Sequence, residues 1–179
     1  MEASSESPLL RAMPAVFVLI WSTGFVVARL AMPHAPPLGF LSVRYALSVA
    51  CFVAWMSVAR VAWPVREQWR PLAISGVLMH AGYLGGVWSA VKLGMGAGTV
   101  ALLVGLQPVL TAIWISLVQG REHRVAPRQW LGLVLGLAGL ALVVWRKLGV
   151  GEVTLLNLSL AVGALLAITA GTLYQKRHV

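Results

Sequence analysis

The sequence predicts an all-α fold, a polytopic membrane helix bundle with about six transmembrane helices. Three observations carry that prediction. Hydrophobic residues make up 59% of the 179 residues and charged residues 11%, with mean hydropathy +0.85. A soluble domain carries roughly 25% charged residues, so this chain lacks the polar exterior that water demands. The apolar residues fall into six stretches near the ~20 residues that cross a hydrocarbon core. None of them alternates with the period of two that a membrane barrel needs.

The stretches follow in order. The first covers 12–32 and carries Arg29 near its far end; the second covers 37–58 and holds Arg44. Pro33, Pro36 and Pro37 separate them, and proline breaks helices there. The third, 71–91, and the fourth, 98–118, carry no formal charge, and Gly94, Gly96 and Gly98 punctuate the turn between them. The fifth, 129–145, is bounded by Arg128 and Arg146, and the sixth covers 154–174. Short connections make neighbouring helices antiparallel. The leader before the first stretch, with Glu2, Glu6 and Arg11, is a poor signal-peptide start, so that stretch reads as a span.

The formal charge of +9 sits mostly in the gaps. Arg11, Arg60, Arg66, Arg70, Arg121, Arg124, Arg128, Lys176 and Arg177 fall on one side; Lys92, Arg146 and Lys147, with Arg29, fall on the other. The positive-inside rule puts the first group and both termini in the cytoplasm. It also explains the basic excess without nucleic acid, since no basic patch interleaves with exposed aromatics. Trp55, Trp63, Trp69, Trp114 and Trp130 near one face, and Trp88 and Trp145 near the other, are read as aromatic belts.

Polar groups at membrane depth each ask for a reason. Arg44 lies roughly 10 Å of helix rise into its span; it either snorkels to the headgroups or forms an anion site or a backbone partner. His80 and Tyr83, three apart, share a helix face as a packed pair or as the wall of a polar cavity. Gln107 and Pro108 sit at the centre of the fourth span. Pro108 cannot bond the carbonyl of Val104 and predicts a kink. Trp21 at mid-span is either core or a stacking surface. Gly132 and Gly136 form a GxxxG in the fifth span and predict close helix packing.

Several chemistries are excluded. Asp is absent, and Glu2, Glu6, Glu67, Glu122 and Glu152 all fall outside the six stretches, which rules out a carboxylate relay within them. Cys51 is the single cysteine, and His34, His80, His123 and His178 are scattered, so no metal site is predicted. No nucleophile–base pair or phosphate-binding loop stands out; Ser75 lies five residues from His80, an unfavourable spacing. The reading is of a non-enzyme with no cofactor and no catalytic residue.

Four segments in order carry a family likeness: WSTGFVVARLAM (21–32), PPLGFLSVRYALS (36–48), YLGGVWSAVKLGMGAGTVALLVGLQPVLTAIW (83–114) and GREHRVAPRQWLGLVLGLAGLALVV (120–144). Together they resemble the EamA domain of the drug/metabolite transporter superfamily, with Arg44 as the second-helix arginine, Pro108 as the central proline of the fourth helix and Glu122 in its Gly-Glu loop. The resemblance implies a ten-helix transporter of two five-helix inverted repeats. Residues 1–11 would be a cytoplasmic tail, 12–146 the first repeat, and 147–179 the loop and first helix of an incomplete second repeat, to which LSLAVGALLAITAGTLYQKR (158–177) is similar.

The expected function is therefore export or exchange of small metabolites, amino acids or drugs by alternating access, in a bacterial inner membrane. Trp21, Arg44, His80, Tyr83 and Gln107 are the expected substrate-binding residues; Pro108, Gly132 and Gly136 are structural. The expected partners are a small-molecule substrate, the lipid bilayer, and a second copy or the missing second repeat. The alternative is an inactive fragment or a non-transporting assembly partner.

Overall fold

The computed structural model describes residues 8–118 and 126–179, with side chains described from Ala12 onward except at Gly149. Residues 1–7 of the expected tail, the side chain of Arg11, and the loop holding Arg121, Glu122 and Arg124 lie outside the described residues. The described residues form helices and no strand. They run α1 (Pro8–Ala31), α2 (Pro37–Ala59), α3 (Arg66–Gly76), a π-helical segment (Val77–Leu84), α4 (Gly85–Lys92), α5 (Ala97–Val104), α6 (Gln107–Val118), α7 (Pro127–Gly149) and α8 (Leu155–His178).

These elements make six membrane-spanning units, as expected. α3, the π segment and α4 are continuous and form one 27-residue span, Arg66–Lys92; α5 and α6 together form Ala97–Val118. Local chemistry sets the boundaries. Pro37 and Pro127 occupy the first turns of α2 and α7, where a missing N–H costs nothing. The third span stops at Gly94, whose φ of +94° suits only glycine. α8 begins with a reciprocal cap: Asn157 N–H donates to Thr154 Oγ1 at 3.3 Å, and Thr154 N–H to Asn157 Oδ1 at 2.8 Å.

Two expectations need correcting, for Glu67 and for Trp88, and the kink expected at Pro108 is present. The third helix begins at Arg66, so Glu67 lies in its first turn rather than outside a span. The fourth span breaks at Gly105–Leu106, in the turn between Val104 and Pro108, where a proline that cannot bond the Val104 carbonyl is expected to disrupt the helix. Trp88 is 1% exposed and belongs to the core, not to an aromatic belt; Trp145, 77% exposed, fits the belt.

The last helix is the centre of the bundle. In α8, 39% of the apolar window is buried, against 6% in α1, α2 and α7. Its close neighbours are α3, the π segment, α4, α5 and α6. The approach is tight because side chains are missing where backbones meet. A Cβ on Gly86 would stand 2.9 Å from the Leu160 carbonyl oxygen and 3.0 Å from Ala164 Cβ; one on Gly82 would stand 2.9 Å from Ala167 Cβ; one on Gly171 would stand 2.7 Å from Met79 Cγ. Small residues permit such crossings in lipid, where packing replaces the hydrophobic force. Gly132 and Gly136, expected to do this in the fifth span, are exposed and have nothing within 4 Å of a built Cβ. Within this chain the close crossing lies between the third and sixth spans instead.

Gly86→Ala should therefore lower stability by about 1–3 kcal/mol through overpacking against backbone. Gly163→Ala, on an open face of α8, should change it little. Thermal unfolding of the two variants in the same detergent compares them directly.

Candidate functional site

Two features stand out once the helices are placed: a cavity beside the π segment, and a polar knot where α1, α4 and α7 end and α5 and α8 begin.

The cavity holds about 330 Å³ and lies between α1, α2, the π segment, α4 and α8. Trp21, Arg44, His80 and Tyr83, four of the five residues expected to bind substrate, line it. The π segment orients two of them. In an α-helix His80 and Tyr83 would share a face; the wider i→i+5 turn splays them toward different neighbours. Tyr83 is buried and stacks on Trp21 of α1, with centroids 6.2 Å apart and planes at 14°. His80 meets Tyr45 of α2 edge-on at 5.5 Å. The Tyr45 hydroxyl also donates to the His80 carbonyl at 2.9 Å, so α2 supplies a partner to the backbone of the π segment.

Arg44 points its guanidinium over the buried Trp88 indole, Cζ lying 5.9 Å from the ring centroid. Arg44 is exposed, and a cation at that distance from a ring face gains about 0.5–1 kcal/mol at an exposed site. Trp88 is held in turn by Phe40, with centroids 5.0 Å apart. The same guanidinium borders a wider apolar groove of about 1260 Å³ along α1 and α2.

Gln107 lies apart from the other four. Its Nε2 donates to Thr172 Oγ1 of α8 at 3.1 Å. It lines a second cavity of about 1110 Å³ on the other side of Trp21, together with Pro108, Met79 and Arg29. Trp21, Phe25, Met79 and Ile168 line both cavities.

The polar knot was not read from the sequence. Glu152, in the α7–α8 connection, accepts on Oε1 from Gly96 N–H at 2.9 Å and Thr99 Oγ1 at 3.1 Å, and on Oε2 from Lys147 at 2.5 Å. A carboxylate at the N-terminus of α5 also complements the helix dipole. Asn157, fully buried, donates to the carbonyls of Leu93 at 3.3 Å and Glu152 at 3.1 Å. Lys92 donates to the Met32 carbonyl at 2.6 Å and ties α4 to the end of α1. The signal available in the sequence was the lone acid at Glu152 among Arg146, Lys147 and Lys92. The knot is structural: every donor and acceptor named here is engaged inside the chain.

The bond from Lys147, with those from Gly96 and Thr99, holds the Glu152 carboxyl below its ordinary value of 4.5. A lowered folded-state value means the carboxylate stabilises the fold at neutral pH, and this contribution fades as pH drops below 4.5 through the folded value. Glu152→Ala should thus lower the melting temperature at pH 7, and the gap from the parent chain should close as the pH is taken toward about 3.

Comparison with known proteins bears on what these features serve. Residues 12–145 match the family model described as the EamA-like transporter family. The chain is 26% identical over 165 residues to the "Uncharacterized transporter YvbV" of Bacillus subtilis, covering 91% of this chain and 52% of that protein. It is 25% identical over 160 residues to a "Probable amino-acid metabolite efflux pump" of Salmonella typhimurium, covering 89% and 51%. It is 25% identical over 136 residues to the "Uncharacterized inner membrane transporter YedA" of Escherichia coli K12, covering 76% and 43%. The chain spans about half the length of these relatives. No solved structure matches it.

Proposed function

The chain belongs to the EamA-like transporter family, and we propose that it forms the substrate-binding half of an exporter or exchanger of small metabolites that works by alternating access. The observation that carries this is the aromatic and cationic cavity at the π segment. It gathers Trp21, Arg44, His80 and Tyr83 from three different spans. Non-helical or irregular backbone at membrane depth is tolerated where it borders a cavity, and binding sites of secondary transporters favour such places. Here the π segment and the Gly105–Leu106 break face the two cavities that share Trp21. Gln107 serves the second cavity, which extends the path beside α6.

A small organic metabolite fits the volume of the cavity, which sits at the small end of the ~300–1,000 Å³ typical of ligand pockets. Residues 12–146 serve as one five-helix repeat, and α8 opens a second. The thinly buried faces of α1, α2 and α7 meet lipid and either a second copy or the rest of a longer transporter. Both termini face the cytoplasm of a bacterial inner membrane, on the strength of the Lys and Arg distribution. A family transporter needs no catalytic residue, and the cavity offers no nucleophile–base pair.

Two measurements test this. In proteoliposomes, His80→Leu and Gln107→Leu should each lower solute flux at least several-fold while the melting temperature in detergent stays near that of the parent; unchanged flux overturns the cavity as the substrate path. With Cys51 replaced, single cysteines at Arg66 and Lys92 should label from opposite sides of the membrane, the first only from the cytoplasm. Labelling of both from one side overturns the topology.

A further inference from the structure

We infer that the cavity selects an organic monocarboxylate with a flat apolar body, and binds it in preference to a zwitterion such as an amino acid. This rests on the cavity reading above and narrows the class of substrate.

The charge balance of the cavity is one-sided. Arg44 is the only lining residue with a formal charge. It has no carboxylate partner among the described residues, where the one ion pair joins Lys147 to Glu152. Asp does not occur in the sequence. Of the described acids, Glu152 has both oxygens engaged in the knot. Glu67 lies thirteen residues before His80, roughly 20 Å of helix rise away. A guanidinium held over an indole and facing an empty cavity presents a planar fork of donors that matches a carboxylate in two-point geometry.

The ammonium of an amino acid enters on different terms. It sits one carbon from the carboxylate and so within a few ångströms of the guanidinium, a like charge in a weakly screening site. It meets no carboxylate among the described residues that line the cavity. The acceptors around it are neutral: the Thr23 hydroxyl, whose proton is already given to the Ile20 carbonyl at 2.6 Å, and the His80 ring. A monoanion brings the net charge of the occupied cavity to zero, whereas a zwitterion leaves Arg44 uncompensated overall. The remaining walls suit a ring or branched chain: Trp21 and Tyr83 lie nearly parallel, with Val87, Met79 and Ile168 close by.

The test is equilibrium binding to the whole chain in lipid nanodiscs at pH 7, using radiolabelled 3-phenylpropionate, 3-phenylpropionamide and phenylalanine. These share a phenylpropanoyl body and differ in the polar head: a carboxylate, a neutral amide, and a carboxylate beside an ammonium. We expect 3-phenylpropionate to bind at least tenfold more tightly than either of the others. Arg44→Gln should weaken the acid at least tenfold and the amide less than twofold, with Arg44→Lys between the parent and Arg44→Gln for the acid. Trp21→Leu should weaken acid and amide in parallel. Phenylalanine binding as tightly as 3-phenylpropionate overturns the inference. So does Arg44→Gln leaving the acid unchanged while Trp21→Leu weakens all three probes, and in that case the cavity reading survives. Loss of acid binding in Arg44→Gln with no effect of Trp21→Leu removes the cavity itself as the site. Absence of saturable binding by all three probes overturns both.

Discussion

The crossing of α8 against the third span is the contact on which the rest of the structure depends. It is made of absences: Gly82, Gly86 and Gly171 leave room for backbone and β-carbon contacts that no larger residue allows. In water such a seam would gain from expelling solvent. In lipid it gains only from close packing and from the polar groups it brings together. That seam fixes the π segment, and the π segment aims Tyr83 at α1 and His80 at α2. Without it, two helices that are otherwise thinly buried would have little to hold them around a shared space.

The polar knot fixes the same crossing from one end. Glu152 joins the α7–α8 connection to the start of α5, and Asn157 joins the first turn of α8 to the turn after α4. A half-buried carboxylate and a buried amide are costly without hydrogen-bond partners, and both have them: no buried side-chain nitrogen or oxygen lacks a partner among the described residues. The cavity carries the opposite design. Its one charge is left open, which is affordable only because Trp88 supports the guanidinium and because the space in front of it stays accessible. One end of the bundle uses charge to close contacts and the middle keeps charge in reserve.

The sequence makes the spans legible because hydrophobic length and charged gaps are properties of composition, and the bilayer demands both. Trp21, Arg44, His80 and Tyr83 were legible for a related reason: a polar or misplaced aromatic side chain at membrane depth needs an inward-facing position. Partner choice was not legible. Two glycine patterns compete in this chain, and the regular Gly132–Gly136 spacing is the more conspicuous; the seam instead uses Gly82 and Gly86 against an alanine-lined face of α8. Which glycines meet a backbone depends on helix rotation, and spacing alone does not set that. The π segment was hidden because a one-residue widening leaves no mark on hydropathy. Glu152 was overlooked because it lies between spans, where an acid ordinarily faces water.

The helix with the largest buried share is synthesised after the five spans that precede it. Each earlier span can thread the bilayer by itself, because its backbone bonds are satisfied internally. Yet the third span meets its tightest neighbour only after Ser159 to Gly171 have left the ribosome. The seam that holds the π segment therefore closes only once α8 has entered the bilayer behind the spans it joins.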